Sequence, residues 1–108
     1  MLFKVVITQS AEQDLQGIVG YITTKYSTPV GAKRYIDDIS AKITSLAQFP
    51  EASPRYQDAD WKGLPLYSCN IRKHKIFYTI NHGTQTIEII HIVYNRRDFK
   101  KIFTPKAK

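Results

Sequence analysis

The sequence predicts an α+β fold of order β-α-α-β-β-β, with a helical hairpin packed on one face of a mostly antiparallel sheet. Two stretches in the first half repeat apolar residues with helical spacing, and short segments rich in β-branched and aromatic residues open the chain and fill its second half. Packing the hairpin on the sheet buries both apolar surfaces. The length of 108 residues fits one domain spanning 1–108, with a basic tail over 99–108.

The first strand and first helix are read from a change of period. Residues 3–8 (FKVVIT) are β-branched and aromatic, which is typical of a strand. A helical stripe follows, with Ser10 as its expected N-cap and with acids in its first turn, where the helix dipole favours them. The members of this stripe are Ala11, Leu15, Ile18, Val19, Ile22 and Tyr26.

A second helix begins after Thr28, a capping hydroxyl followed by Pro29 at the first helical position. Pro50 is expected to end it at Phe49. Because very few residues join the two helices, they should form an antiparallel hairpin. The apolar stripe of the second helix is Ala32, Ile36, Ile39, Ile43, Leu46 and Phe49.

The second half predicts a surface loop over 51–63 and three strands over 64–71, 73–81 and 86–94. Pro65 restricts the first of these strands to a sheet edge or a late start. The third has apolar residues at both odd and even positions, as expected of a strand whose two faces are both covered. In the middle strand, alternation predicts one face toward the helices (Ile76, Tyr78, Ile80) and one open face (Lys73, Lys75, Phe77, Thr79).

The net charge of +7 is confined to the second half of the chain. Residues 1–61 hold six Lys and Arg against seven acids, whereas residues 62–108 hold ten against two, a balance of +8. Such asymmetry indicates either a polyanionic or acidic partner for that half, or a solubilising surface with a Lys-rich tail.

Familiar cofactor and metal chemistry finds no support in the sequence. The single cysteine, Cys69, forms no intramolecular disulfide and lies in a predicted strand, where a buried thiol is common. His74, His82 and His91 have no metal-ligand spacing, and neither a nucleophile elbow nor a glycine-rich phosphate loop is present. We therefore expect no cofactor and no metal. Without a transmembrane run or a signal peptide, a cytoplasmic protein that avoids membranes is expected.

Basic and aromatic residues cluster where the second hairpin strand starts and the last strand ends. Strand pairing should bring these two points together and form a cationic surface suited to phosphate or to an acidic protein segment. The alternative is that Arg96 and Arg97 form ion pairs with Asp98 and with acidic residues of the helices, and only hold the C-terminus in place. The candidate target-binding residues are Arg72, Lys73, Lys75, Tyr94, Arg96, Arg97, Lys100 and Lys101.

At this point the chain resembles the RelE/ParE superfamily of toxins from type II toxin–antitoxin modules. No single motif is decisive, but the order, spacing and coverage of the matching segments are specific. The segments are AEQDLQGIVGYI at 11–22, AKRYIDDISAKITSLAQFP at 32–50, KIFYTI at 75–80 and IEIIHIVYNRRD at 87–98.

The resemblance implies an intracellular growth inhibitor of the plasmid-stabilization type, neutralised by a cognate acidic antitoxin in a toxin–antitoxin hetero-oligomer. ParE-like members inhibit DNA gyrase and are not known to catalyse a reaction. RelE-like members enter the ribosome and cleave mRNA without a metal, by general acid–base and electrostatic catalysis.

The residues favour the ParE-like alternative. Lys75 and Arg97 match arginine positions of RelE-like nucleases, but Leu66 and Ser68 stand where those enzymes carry lysines, and Phe103 stands where they carry a tyrosine. If the chain is a nuclease, His91 or Tyr94 would have to substitute, giving the candidate catalytic set Lys75, His91, Tyr94 and Arg97. A third alternative is a non-toxic module that only binds antitoxin or RNA.

Overall fold

The structure, a computed structural model, describes residues 2–25 and 28–95, without the side chains of 57–59. Over these residues the element order is β1 (Lys4–Ile7), α1 (Gln9–Lys25), α2 (Pro29–Leu46), β2 (Arg55–Trp61), β3 (Leu64–Ile71), β4 (His74–Asn81) and β5 (Thr86–Tyr94). These strands form a sheet in the order β1-β5-β4-β3-β2, in which β1 runs parallel to β5 and the other pairs are antiparallel. The predicted α+β class with its helical hairpin is confirmed.

The start of α1 differs from the prediction, because Thr8 and not Ser10 caps the helix. The Ala11 N–H donates to Thr8 Oγ1 at 3.3 Å and the Glu12 N–H donates to the Thr8 carbonyl at 2.9 Å. Ser10 lies inside the helix, where its hydroxyl donates to the Ile90 carbonyl at 2.8 Å. The hydroxyl binds β5 because β1 ends at Ile7, and the carbonyls of β5 beyond that point must accept hydrogen bonds from other groups.

The start of α2 follows its sequence signals, but its end comes earlier than predicted. Thr28 is extended (φ −120°, ψ 143°) and its side chain accepts the Gly31 N–H, so the predicted cap is confirmed. The helix ends at Leu46, three residues before the predicted Phe49, and the chain continues through turns stabilised by carbonyls of the last helical residues. The stripe residues Ala32, Ile39, Ile43 and Leu46 are buried, as is Tyr35 between them.

The main core lies between the helices and one face of the sheet. Ile76, Tyr78 and Ile80 pack there as predicted, against Ile18 and Ile22 of α1 and the buried face of α2. Cys69 belongs to this core, and burial raises the pKa of its thiol. A buried thiol with a raised pKa is a poor nucleophile, which agrees with its structural interpretation.

The prediction of a loop over 51–63 is wrong, since Arg55–Trp61 forms β2 and pairs with β3. The segment has few apolar residues and follows Pro54, so its sequence does not indicate a strand. The strand forms because β3 supplies hydrogen-bond partners for it. Pro65 therefore does not place β3 at the edge of the sheet, and it occupies only the second position of that strand. A late start is not observed either, because β3 begins at Leu64 and Pro65 is paired with Asp60.

The second face of the sheet carries its own small core, so the predicted open face is wrong for Phe77 and Thr79, which are almost fully buried. Phe77 packs with Leu66, Ile90 and Val93 under two aromatic residues of β2, Tyr56 and Trp61. The Tyr56 ring meets Phe77 edge-on, with 4.9 Å between centroids. The side chains of Tyr56 and Trp61, on a strand that the sequence did not predict, thus cover part of this face.

β5 lies between β1 and β4 and is buried on both faces, as its apolar pattern predicts. Across residues 2–25 and 28–95, no helix is long and apolar enough to span a membrane.

Candidate interaction site at one end of the sheet

The β3–β4 turn and the end of β5 meet at one end of the sheet. His74 is paired with Ile71 across the turn and with Tyr94 on β5, and the Asn95 N–H donates to the Lys73 carbonyl at 2.9 Å. The structure therefore brings together Arg72, Lys73 and Tyr94 of the predicted target-binding set. Four further members lie outside the described residues, namely Arg96, Arg97, Lys100 and Lys101, as do the predicted tail and Phe103.

Arg72 is held against α2. Its Nε and Nη2 atoms lie 2.8 and 2.7 Å from Oδ2 of Asp38, and its guanidinium carbon lies 4.9 Å from the centroid of the Tyr35 ring. The residue has φ 53°, a left-handed conformation that favours glycine. The ion pair and the ring contact offset part of that backbone cost, and they fix one cation of the set in a defined position.

His74 is a buried histidine at the centre of this end of the sheet. Its Nδ1 lies 2.8 Å from the Tyr35 hydroxyl, whose oxygen also accepts the Lys73 N–H at 3.4 Å. This hydrogen bond joins the hydroxyl to Nδ1, and the tautomer of the ring determines which of the two atoms donates. Burial lowers the pKa of the imidazole. The Tyr94 ring packs edge-on against His74, with 5.9 Å between centroids.

The edge of β5 is closed by α1 where β1 ends. The pairing of β5 with β4 is irregular at this point: Phe77 opposes His91 and Tyr78 opposes Ile89, which leaves Ile90 as an extra residue. Thr8 Oγ1 donates to the Ile89 carbonyl at 2.7 Å. Together with Ser10, it satisfies carbonyls that β1 no longer reaches.

Asp14 continues this edge contact one turn further along α1. Its Oδ2 atom accepts the Ile92 N–H at 3.0 Å and lies 2.8 Å from Nδ1 of His91, which donates because a carboxylate can only accept. The carboxylate thus orients the imidazole and fixes its tautomer. The His91 ring also lies edge-on to Trp61 at 6.4 Å.

A cleft of about 550 Å³ separates α1 from the ends of β4 and β5. One wall is a face of α1 and the other is formed by the strand ends, with Tyr21 and Tyr94 exposed. Its lining residues are Gln13, Asp14, Gly17, Ile18, Tyr21, His74, Ile92, Val93 and Tyr94.

The candidate catalytic residues are divided between the two faces of the sheet. Lys75 alternates with the helix-facing residues of β4 and belongs to the outer face, whereas His91 lies opposite Phe77 and beside Trp61 but also reaches Asp14 of α1 at the edge of β5. Tyr94 is paired with His74 on the helix-facing side. Arg97 lies outside the described residues. Within the described part of the chain, no group of three or more His, Cys, Asp or Glu could hold a metal ion.

Sequence reasoning missed the side chains that organise this region: Asp14, Tyr35, Asp38 and the role of His74. A signal was available for Tyr35, which precedes Ile39 by four residues and so belongs to the buried stripe of α2. A buried tyrosine needs a hydrogen-bond partner, and a histidine is a suitable one. No local pattern indicates that Asp14 reaches β5, because that contact depends on where β1 ends.

The fold and this site together define a class, an α+β domain that pairs a helical hairpin with a sheet whose end is cationic. A family model described as the ParE toxin of type II toxin–antitoxin systems (parDE) matches residues 5–99. The chain belongs to this family of toxins, within the RelE/ParE group, and is the toxin of a type II toxin–antitoxin system.

Solved structures of toxins in this group have the same fold. The chromosomal ParDE system of P. aeruginosa matches with a TM-score of 0.65 at 17% identity, covering 86% of this chain and 96% of that one. The RelE–RelB complex of Pyrococcus horikoshii OT3 gives 0.61 at 19%, covering 91% and 100%. The RelBE2 complex of Mycobacterium tuberculosis gives 0.61 at 16%, covering 87% and 92%. No curated protein matches the sequence significantly.

Proposed function

We propose that this toxin arrests growth by inhibiting DNA gyrase and that a cognate acidic antitoxin neutralises it in a hetero-oligomer. It acts in the cytoplasm, uses no cofactor and belongs to a module of the plasmid-stabilization type. The observation that carries the proposal is the separation of the candidate catalytic residues, with Lys75 on the outer face of the sheet, His91 bound to Asp14 at the edge of β5, and Tyr94 on the helix-facing side.

Acid–base cleavage of RNA needs its proton donor and acceptor within hydrogen-bond reach of one scissile phosphate. Groups on opposite faces of a sheet do not meet this requirement. Leu66 and Ser68, at the positions where RelE-like nucleases carry lysines, are both buried and uncharged. These observations support an inhibitor that acts by binding, and the ParE family match points the same way.

In this proposal the cationic end of the sheet contacts the target. Arg72 is positioned by Asp38, and Lys73 stands beside the end of β5, from which the chain continues into Arg96 and Arg97. Arginines held in place suit bidentate recognition of carboxylates or phosphates. The remaining members of the proposed contact surface are Lys75, Tyr94, Lys100 and Lys101.

One observation favours the alternative, a metal-independent nuclease acting on ribosome-bound mRNA. The Asp14–His91 contact is a carboxylate-oriented imidazole, an arrangement used in general base catalysis. In that case Lys75, His91, Tyr94 and Arg97 would form the site. The remaining alternative, a non-toxic module that binds antitoxin or RNA, predicts no growth arrest.

Inducible expression of the full chain without antitoxin separates these functions. The proposal expects DNA synthesis to stop before translation, with induction of the SOS response, and the purified toxin to block supercoiling by gyrase. Early arrest of translation with mRNA cut within codons on ribosomes would establish the nuclease instead. Absence of any growth defect would contradict both toxic mechanisms.

A His91→Gln variant sharpens the test. The glutamine amide can still donate to Asp14, but it cannot exchange a proton as an imidazole does. Gyrase inhibition should survive this substitution, whereas nuclease activity would be lost.

A further inference from the structure

The cleft between α1 and the ends of β4 and β5 has the size and the walls of a small-molecule site. Its volume of about 550 Å³ lies within the range of roughly 300–1,000 Å³ that such sites occupy. Two of its lining residues, Tyr21 and Tyr94, are exposed aromatic rings. Gly17 leaves the helix side of the cleft open, because a Cβ built on it would meet no atom within 4 Å. The body of a molecule that fits here is therefore flat and aromatic.

Asp14 provides the negative charge of the cleft. Besides His74, it is the one ionisable acid or base with a charge at neutral pH among the described lining residues. Its Oδ2 atom accepts from His91 and from the Ile92 N–H, whereas Oδ1 forms no hydrogen bond with any described residue. The side chain exposes 22% of its area, so water screens its charge incompletely. A positively charged hydrogen-bond donor complements this oxygen.

His74 provides a second polar atom in the same cleft, although only 5% of the residue is exposed. Its Nδ1 is bound to the Tyr35 hydroxyl, and Nε2 has no hydrogen-bond partner among the described residues. In that part of the chain no fully buried side-chain nitrogen or oxygen lacks a partner, so Nε2 is accessible from outside. The cleft that His74 lines gives this access, and the nitrogen there can bind a neutral polar group of a ligand.

The spacing of these two groups suits one small molecule. The Ile92 N–H binds Asp14, and Tyr94 is paired with His74 across the sheet. Ile92 and Tyr94 are two residues apart on β5, which places the two attachment points roughly 7 Å from each other. A benzene ring with substituents on opposite carbons spans about this length.

The charges along α1 also determine how such a ligand is oriented. Nζ of Lys25 lies 5.8 Å from the centroid of the Tyr21 ring, at the C-terminal end of the helix. Asp14 lies eleven residues earlier, about 16 Å along the helix axis. A cationic group is therefore repelled at the Tyr21 end of the cleft and attracted at the Asp14 end.

We propose that this cleft binds a small aromatic molecule with a cationic amidine or amine at one end and a neutral hydrogen-bonding group at the other. The cationic group binds Oδ1 of Asp14, the ring packs beside Gly17 and Tyr94, and the neutral group binds Nε2 of His74. Binding here does not depend on the proposed gyrase inhibition, because it uses none of the basic residues proposed to contact gyrase.

The probe that tests the site is para-aminobenzamidine, which carries an amidinium and a neutral amine on opposite carbons of one benzene ring. Titrated into the full-length toxin, it should shift the amide NMR signals of Gly17 and Ile92 and saturate with a Kd of about 1 mM or lower. The neutral para-aminobenzamide and the anionic para-aminobenzoate have nearly the same shape. They should bind about tenfold more weakly or worse, because they form no ion pair with Asp14.

Three variants of the full chain locate the binding site. Asp14→Asn removes the charge and keeps an amide oxygen for the Ile92 N–H, and it should weaken binding of the probe by about tenfold or more. Gly17→Leu fills the cleft and should have a similar effect. Gly20→Leu adds the same side chain to the same helix outside the lining, where a Cβ also meets nothing within 4 Å, and should bind as the unaltered toxin does.

Both leucine substitutions replace glycine by a better helix former, and circular dichroism with urea unfolding verifies the fold of every variant before titration. Equal binding of the three benzene derivatives, unchanged binding by Gly17→Leu, or equal weakening by both leucine variants overturns the site. If Asp14→Asn does not fold, the leucine pair still decides the location and the three derivatives still decide the charge.

Discussion

Asp14 on α1 and His91 on β5 are joined by a 2.8 Å contact between Oδ2 and Nδ1, and the same oxygen accepts the backbone N–H of Ile92 at 3.0 Å. One carboxylate therefore connects the first helix to the strand edge that β1 leaves uncovered. Both side chains are largely buried, so water replaces these contacts poorly.

Replacing Asp14 by alanine should lower the free energy of unfolding by about 1–3 kcal/mol, because a partly buried N–H and an imidazole lose their acceptor. Asp14→Asn should lose less, since its amide oxygen can still accept from Ile92. Urea denaturation measures both. Asp37→Ala is the matched control, since its ion pair with Lys33 is exposed and should be worth less than about 0.5 kcal/mol. Equal losses at positions 14 and 37 would contradict a structural role for the Asp14 contacts.

Tyr35→Phe should destabilise the protein by about 1–2 kcal/mol, because it removes the hydroxyl bound to the buried Nδ1 of His74 while preserving the ring. Tyr21→Phe is its control, since that tyrosine is exposed and should change unfolding by less than about 0.5 kcal/mol. Thermal and urea unfolding test the pair. An unchanged midpoint for Tyr35→Phe would show that the hydroxyl contributes nothing to stability.

Stability should fall on mild acidification because of His74. Burial lowers the pKa of this imidazole in the folded protein below its ordinary value of 6.5, so the unfolded chain takes up the proton first. Neutral, buried His74 contributes fully to the free energy of unfolding above pH 6.5. This contribution is lost as the pH falls from 6.5 through the lower pKa of the folded protein. Urea unfolding from about pH 8 to about pH 5 should show this loss, and His74→Gln should reduce the slope. Identical slopes for the two proteins would exclude His74 as the cause.

Phe77→Ala should cost about 3–5 kcal/mol, the range expected for removing a fully buried aromatic ring. The same change in an exposed ring, Phe49→Ala, should cost less than about 0.5 kcal/mol. The comparison tests whether Tyr56 and Trp61 cover the outer face of the sheet in solution. Matching unfolding curves for the two variants would mean that this face is open, as the sequence alone predicts.

Arg97→Ala should lower toxicity while leaving the fold intact, since the proposed role of Arg97 is to contact the target. Growth after induction and supercoiling by gyrase measure the activity, and circular dichroism with urea unfolding measures the fold. Full toxicity in this variant would remove Arg97 from the contact surface.

The match between sequence and structure is closest where the signal is local. The strands over 64–71 and 86–94 have the predicted limits, and the Thr28 cap lies where a hydroxyl before proline indicates it. The periodicity of the helices correctly identified most of the buried side chains, because burial on one face imposes its period on the sequence. The cap of α1 was misplaced at Ser10, since the choice between two nearby hydroxyls depends on the strand edge beside them.

The sequence by itself determined the α+β class and the helical hairpin, because both follow from periodicity and segment order along the chain. It also determined membership of a toxin family, through the match of a family model to residues 5–99. Tertiary structure alone decided that 55–61 is a strand, that Phe77 is covered, and that Lys75 lies across the sheet from Tyr94. It also decided the pairings of Asp14 with His91 and of Tyr35 with His74. The physical reason is that the two side-chain pairings join residues 39 and 77 positions apart, and that all of these contacts depend on strand register and, for Asp14, on where β1 ends.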